Sequence, residues 1–269
     1  MITWNLFHGR DFPPNPGLRT WRSRLLRVTE RDSTHAQVNR PLLEEFAAVL
    51  NRLEWDIALL QEAPPRWQRA LAERSGASSA IAITSRNFLP RLRAALAEWN
   101  PDLIASNEGG SNQVLVRPPI RIEEVRRLRL ALLPERRRML WARLALGAGT
   151  RLAVATLHAT AGDPPVAAKE VERAAVKALE WAGEDPLVLG GDMNVQPGQA
   201  PEMFERMREH LGIAAPTAPK ALDHLFARGV ELVEAPRRLA PEEREIGQSQ
   251  GLRIRLSDHA PVTATFRVK

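Results

Sequence analysis

The chain has 269 residues, 44% of them apolar, with a net charge of +6 and neither cysteine nor tyrosine. This length and apolar share suffice for one large sandwich or barrel around a buried core. The missing cysteine excludes disulfides, a thiolate metal site and a cysteine nucleophile, and the missing tyrosine removes phenolic acid–base chemistry.

The basic balance fits a polyanionic partner such as nucleic acid or an anionic lipid surface. Nearly all of it is arginine, with lysine only at Lys169, Lys177, Lys220 and Lys269, a usage that GC-rich coding also produces. No apolar stretch approaches the ~18 residues of a membrane span. Met1-Ile2 leads straight into Thr3-Trp4-Asn5 without a basic-then-apolar leader, so a cytoplasmic location is the default expectation.

In chain order, Ile2–Leu6 is expected as a short strand, followed by a long polar segment, Gly9–Asn39, rich in proline and arginine. Arg40–Leu53 has apolar residues at helical spacing, with Pro41 suited to a first turn. Asp56–Leu60 is a short buried strand, and Pro64–Arg74 opens on prolines and continues as a helix. Ala80–Thr84 is a weak strand. Phe88–Trp99 is expected as a helix carrying Leu89, Leu92, Leu96 and Trp99 on one face. Gln113–Val116, Ile120–Leu130, Met139–Leu146 and Arg151–His158 form a succession of strands, the last two joined by a turn at Gly147-Ala148-Gly149. Val166–Ala182 is a long amphipathic helix, Leu187–Leu189 an apolar strand and Glu202–Leu211 a helix. Ala221–Phe226, Val230–Val233 and Ala260–Val268 close the chain as strands. Runs of strands with helices between only some of them suggest two packed sheets with helices outside. No linker or internal repeat divides the pattern, so residues 1–269 are read as one domain.

Polar clusters recur where apolar strands stop. Asp192 and Asn194 follow Leu187-Val188-Leu189 across Gly190-Gly191, which lets the backbone turn tightly, and two such residues point the same way on extended chain. Gly-Gly-Asp-x-Asn is also good turn chemistry. Glu62 follows a buried strand, where a carboxylate is expensive to desolvate without a partner such as a hard divalent cation. Asn5 ends the first strand. His158 ends another and suits hydrogen bonding to a phosphoryl oxygen or protonation of a leaving group. Asp223-His224 opens one strand and Asp258-His259 precedes the last, and neighbours on extended chain face opposite ways.

The ordered set Thr3-Trp4-Asn5-Leu6, Leu59-Leu60-Gln61-Glu62, Thr156-Leu157-His158, Gly190-Gly191-Asp192-Met193-Asn194, Leu222-Asp223-His224-Leu225-Phe226 and Ser257-Asp258-His259-Ala260-Pro261-Val262 resembles the endonuclease/exonuclease/phosphatase superfamily. The resemblance implies a four-layer α/β sandwich, two mixed sheets flanked by helices as in pancreatic deoxyribonuclease, with the site at one edge. It implies Glu62 as chief Mg²⁺ or Mn²⁺ ligand with Asn5 beside it and Asp258 in support. Asp192 is expected to orient or deprotonate the attacking water, Asn194 to donate to a phosphate oxygen, and His259 to act with Asp223 as its orienting acid. His158 matches the strand-end histidine of the deoxyribonuclease and sphingomyelinase branches. The implied activity is metal-dependent phosphodiester hydrolysis, with nucleic acid placed ahead of lipid or small phosphate esters. A phosphatase of the same superfamily and a non-catalytic nucleic-acid-binding module are the alternatives.

An Arg/Pro-rich insertion at about 10–39 departs from the compact form of that pattern. Trp21 and Arg22 make it a candidate substrate-facing flap, stacking on a base or lipid face and meeting phosphates, or else a structured surface excursion. In the loop Ser106–Asn112, Asn112 is a further substrate-binding candidate. Of Arg136, Arg137 and Arg138, one is a candidate for the cleft, the alternative being a solvated charge run.

Overall fold

The computed structural model describes residues 1–84, 89–132, 136–213, 218–248 and 251–268. In chain order the elements are β1 (Ile2–Asn5), α1 (Trp21–Leu26), β2 (Glu30–Arg31), β3 (Ala36–Gln37), α2 (Leu43–Arg52), β4 (Ile57–Ala63), α3 (Gln68–Arg74), β5 (Ser78–Ile83), α4 (Pro90–Trp99), α5 (Pro101–Ile104), β6 (Ser111–Val116) and β7 (Arg121–Ala131). They continue as β8 (Arg137–Gly147), β9 (Thr150–His158), α6 (Pro164–Ala182), β10 (Leu187–Asp192), α7 (Pro201–Glu209), β11 (Asp223–Arg228), β12 (Glu231–Arg238), β13 (Glu245–Gly247), β14 (Arg253–Arg255) and β15 (Val262–Arg267).

Two mixed sheets form the centre, one in the order β12-β15-β1-β4-β6-β5 and the other β11-β10-β9-β8-β7. Strand alternation divides the apolar residues among three cores. Leu59 of β4, Val114 of β6, Leu140 of β8, Val154 of β9 and Val188 of β10 fill the space between the sheets. Ala58 and Leu60 turn the other way, to Phe46 and Leu50 of α2 and Leu71 of α3. Leu187 and Leu189 likewise face the α6 and α7 side, with Val171, Ala175 and Met203. The result is a four-layer α/β sandwich. The unbroken apolar run Leu187-Val188-Leu189 is explained, since a strand covered on both faces needs no polar alternation.

α6 is well delimited. Asp163 caps it by accepting from the Val166 N–H at 3.2 Å, two prolines occupy its first turn, and Gly183 ends it at φ +63°. α2 differs from expectation: it starts at Leu43, so Pro41 lies ahead of the helix and not in its first turn. β4 runs on through Gln61, Glu62 and Ala63, beyond the expected stop at Leu60. The helix expected over Phe88–Trp99 begins at Pro90, and Phe88 itself lies outside the described residues. Its leucine face is turned to solvent instead of a core. β13 and β14 pair with each other and were not foreseen.

The 10–39 insertion is folded and tied down. Thr20 caps α1 by accepting from the Ser23 N–H at 3.0 Å, and β2 pairs with β3. Asn39 Nδ2 donates to the Ser23 carbonyl at 2.9 Å and to Asn100 Oδ1 at 2.6 Å. Gln37 Nε2 donates to Asp102 at 2.6 Å. Asp11 accepts from the Val38 N–H at 2.9 Å, and burial pushes its carboxyl up to about 8 despite that bond. A carboxyl raised in the folded state adds stability that is complete below its unfolded value near 4 and is lost as pH rises through 8. We therefore expect the protein to lose roughly 3 kcal/mol between pH 6 and pH 9 from this group. Asp11→Asn keeps the acceptor for Val38 and should remove most of that slope in urea denaturation at the two pH values.

Candidate active site

Three neighbouring strands deliver three polar groups in one row. Asp192 at the end of β10 is register partner to His158 at the end of β9 and to Asp223 at the start of β11. Register partners share a face, so the three side chains project together. The glycine pair before Asp192 has a steric cause. A Cβ at Gly190 would stand 2.6 Å from Leu225 Cδ2, and one at Gly191, whose φ is +146°, would stand 2.1 Å from the Leu157 carbonyl oxygen. His224 takes the opposite face, as alternation requires, and is not part of the site. It packs between Phe204 and Phe226 and donates Nε2–H to the Val195 carbonyl at 3.1 Å.

The six-stranded sheet supplies the facing groups. Asn5 at the end of β1 donates Nδ2–H to Asp192 Oδ2 at 2.9 Å, and its Oδ1 accepts from the Phe7 N–H at 2.9 Å. Glu62 sits where the pairing of β4 with β6 slips between Leu60 and Ala63, a bulge that re-aims its side chain. The last wall is the loop before β15. Ser257 Oγ donates to the Asn5 carbonyl at 2.6 Å and accepts from the His259 N–H at 3.0 Å. Trp4 Nε1 donates to the His259 carbonyl at 2.9 Å. Buried Arg244 donates Nη1–H to the carbonyls of Leu256, Ser257 and His259. Glu62, Asn194 and Ser257 all adopt left-handed backbone, at φ 47°, 51° and 59°.

Two imidazoles bind these walls together. His158 lies 3.5 Å by Nδ1 from Glu62 Oε1 and 3.4 Å by Nε2 from Asp192 Oδ2, so Glu62 and Asp192 flank one ring. Arg137 donates Nη1–H to His158 Nδ1 at 3.0 Å, which leaves the ring proton on Nε2, facing Asp192. His259 donates Nδ1–H to Asp223 Oδ2 at 2.8 Å and points Nε2 at Asp192 Oδ2 from 3.6 Å. Asn194 donates its backbone N–H to Asp192 Oδ1 at 3.1 Å and its Nδ2–H to the Ala159 carbonyl at 3.0 Å. Asp258 accepts from Ser257 Oγ at 3.4 Å.

The electrostatics follow from burial and charge. Burial, then the nearby Asp192 and Asp258 carboxylates, push Glu62 up to about 7. Burial, then Asp223, raises Asp192 above the ordinary aspartate range. Burial alone would lower His259, but Asp223, with Asp192 and Asp258 behind it, overrides this and lifts it to about 10, so the ring is cationic at neutral pH. Burial and then Arg137 hold His158 well below its usual value, so it is neutral. One cleft thus holds a charged and a neutral imidazole.

Asp192 and Asp258 are buried or half-buried carboxylates close enough to raise Glu62, and such a cluster suits a hard divalent cation. Asp192, Asp223 and His259 also offer atoms within 4.8 Å of one another. There the proton held between His259 and Asp223 already supplies the positive charge, so the Glu62 side is the better cation site.

Several features escaped the sequence reading. His8 puts Nε2 3.3 Å from Glu62 Oε2, and burial, then Arg10, lowers its imidazole to about 3. Only its place three residues past Asn5 hinted at this. Arg244 carried no signal, whereas of the three candidate arginines it is Arg137 that reaches His158. Asn112 lies within β6, not in the loop ahead of it, and donates Nδ2–H to the Arg138 carbonyl at 2.7 Å. Trp21 and Arg22 are exposed on α1 and are not brought to the carboxylate cluster.

The sequence model of the Endonuclease/Exonuclease/phosphatase family matches residues 2–259, and the chain belongs to that family. No curated protein gives a sequence match. The fold is similar to the human nocturnin catalytic domain with bound sulfate anion, at TM-score 0.64 and 14% identity, covering 100% of this chain and 92% of that one. It is also similar to an endonuclease/exonuclease/phosphatase from Bacteroides vulgatus, at TM-score 0.64 and 16% identity, covering 100% and 98%. A mannosyl-6-phosphatase of Bacteroides thetaiotaomicron VPI-5482 matches at TM-score 0.61 and 15% identity, covering 98% of each chain.

Proposed function

We propose that this chain is a divalent-metal-dependent phosphoester hydrolase in which Asp192 orients and deprotonates a water for in-line attack on phosphorus. The supporting observation is the convergence on one oxygen, Asp192 Oδ2, of Asn5 Nδ2 at 2.9 Å, His158 Nε2 at 3.4 Å and His259 Nε2 at 3.6 Å. A carboxylate raised by burial is a stronger base than an exposed one, and the surrounding donors fix its orientation. Negative charge that builds on the phosphoryl oxygens meets the cationic His259 ring, held in place by Asp223, and the neutral Nε2–H of His158. Asn194, with a second Nδ2–H beyond the one given to Ala159, is the amide donor to a non-bridging oxygen. Mg²⁺ or Mn²⁺, held by Glu62 with Asp258 and the second lone pair of Asn5 Oδ1, would supply charge neutralisation at those oxygens.

The test is release of p-nitrophenol from bis(p-nitrophenyl) phosphate and from p-nitrophenyl phosphate, alongside plasmid DNA, an RNA oligomer and phospholipid vesicles. Hydrolysis that needs added Mg²⁺ or Mn²⁺ and stops with EDTA is expected on at least one. Inertness across the panel with DNA binding retained would instead favour a binding module.

Cation affinity should also follow the protonation of Glu62. With a value near 7, the Glu62 carboxyl is mostly neutral at pH 6 and ionised at pH 8. Mn²⁺ should bind roughly tenfold more tightly at pH 8, releasing a proton at pH 6. Calorimetry in two buffers of different ionisation enthalpy reads both effects, and a pH-independent affinity counts against Glu62.

A further inference from the structure

Two helices beside the site are built inside out. In α1 the inward residue is Ser23, whereas Trp21, Leu25 and Leu26 face solvent. In α4 the inward residue is Ala97, whereas Leu92, Leu96 and Trp99 lie outside, with Trp99 54% exposed. The two faces adjoin. Asn100 Nδ2, just past α4, donates to the Arg24 carbonyl of α1 at 3.0 Å, and the Arg27 guanidinium stands 5.9 Å from the Trp99 ring. With Leu89, this face carries more than half of the large apolar side chains exposed among the described residues. Exposed apolar residues gathered on two neighbouring helices mark a surface that something covers.

Charge says what covers it. Arg19, Arg22, Arg24, Arg27 and Arg91 lie on or next to these two helices, and among the described residues none is in ion-pair contact with a carboxylate, Arg24 alone acting at longer range on Asp102. Some exposed arginines elsewhere are paired, as in Arg69 with Glu73, Arg151 with Glu123 and Arg206 with Glu172. Others such as Arg121, Arg228 and Arg238 are not, among the described residues, but those do not border an exposed apolar helix face. A second copy of the chain would set arginine against arginine. A nucleic acid would satisfy the arginines and leave the leucines against a polar backbone. An anionic bilayer satisfies both groups, with guanidiniums at headgroup phosphates, tryptophans at the interface and leucines among the acyl chains.

A cavity of about 330 Å³ lies beside this face, lined by Phe7, Arg10, Asp11, Arg19, Arg24 and Asp102 among others. Arg10 donates Nε–H to the Phe7 carbonyl at 3.3 Å and stacks 3.8 Å from the Phe7 ring centroid, with no carboxylate in ion-pair contact among the described residues. Arg10 borders both cavity and site: its carbonyl accepts from the Ser257 N–H at 3.0 Å, and its guanidinium lies within electrostatic range of Glu62 and Asp258 as well as Asp102 and Asp11. We propose that the α1–α4 face docks on an anionic phospholipid bilayer and that the arginine-lined cavity receives a lipid headgroup, whose phosphoester the site hydrolyses. The docking stands on the surface itself, and the substrate class rests on the hydrolase reading above.

The experiment compares vesicles of phosphatidylcholine alone with vesicles containing about a third phosphatidylglycerol, with and without brominated acyl chains. Co-sedimentation with the anionic vesicles only is expected, with bromine quenching of tryptophan fluorescence that the Trp21→Phe/Trp99→Phe variant largely loses. Leu25→Glu with Leu96→Glu, both at exposed positions, should weaken vesicle binding at least roughly tenfold. The same variant should leave turnover of soluble bis(p-nitrophenyl) phosphate unchanged. Vesicle binding without quenching, vesicle binding indifferent to the two glutamates, or DNA rather than vesicles shielding Trp21 and Trp99 from acrylamide would each overturn the docking. Soluble diester turnover without vesicle binding removes the docking and keeps the hydrolase. Vesicle binding with no hydrolysis of any ester does the reverse.

Discussion

Asp192→Ala should lower turnover by at least about a hundredfold, or roughly 3 kcal/mol of barrier, while the protein remains folded. The carboxylate at the end of β10 is where the site's donors meet. Alanine removes the proposed base and leaves the Asn5 amide without its acceptor at 2.9 Å. It also deprives the His259 Nε2 of the oxygen 3.6 Å away. Asp192→Asn preserves shape and separates the two effects: it keeps an acceptor but cannot take a proton, so it should fall nearly as far. His259→Ala should lose a similar factor, because a fixed cationic donor next to developing charge typically contributes a few kcal/mol. Steady-state kinetics on an aryl phosphodiester at saturating Mg²⁺, with thermal melts to show intact folding, read these effects. Near-normal turnover in either alanine variant refutes the assignment.

Gly191→Ala should be the costliest small substitution in the scaffold. The added methyl would stand 2.1 Å from the Leu157 carbonyl oxygen, at a backbone φ of +146° that alanine rarely adopts. Neither obstacle can yield easily. Leu157 is the register partner of Gly191 in the parallel β9–β10 ladder, and moving it shifts His158 as well. Overpacking and strain together should destabilise the protein by about 3 kcal/mol or more. Urea denaturation measures the loss. A midpoint within experimental error of the wild type would show that the strands separate more readily than this packing allows.

Much of this arrangement was legible before any coordinates. Strand-terminal polar residues announced themselves at Asn5, His158 and Asp192, because an apolar run that stops on a polar group is visible in one dimension. The sheets and α6 were readable for the same reason. Insertions and caps were less so. The bulge that turns Glu62 depends on how β4 pairs with β6, and register is a property of two strands, not one. His8 and Arg244 belong to short turns without periodicity, and only tertiary contact reveals that one faces Glu62 and the other clamps the Ser257–His259 loop. The outward direction of the α4 leucines was illegible for a related reason: helical spacing shows that a face is apolar but not which way it points.

The left-handed backbone at Glu62 has an evolutionary corollary. A residue with a Cβ held at φ 47° carries conformational strain, and here it also carries a carboxyl crowded by two other acids. Glycine at this position would relax both burdens, so Glu62→Gly should melt at a higher temperature than the parent in metal-free buffer while losing cation binding. Selection for durability alone would therefore erode this site, and libraries screened only for thermal resistance should repeatedly discard the acid at position 62.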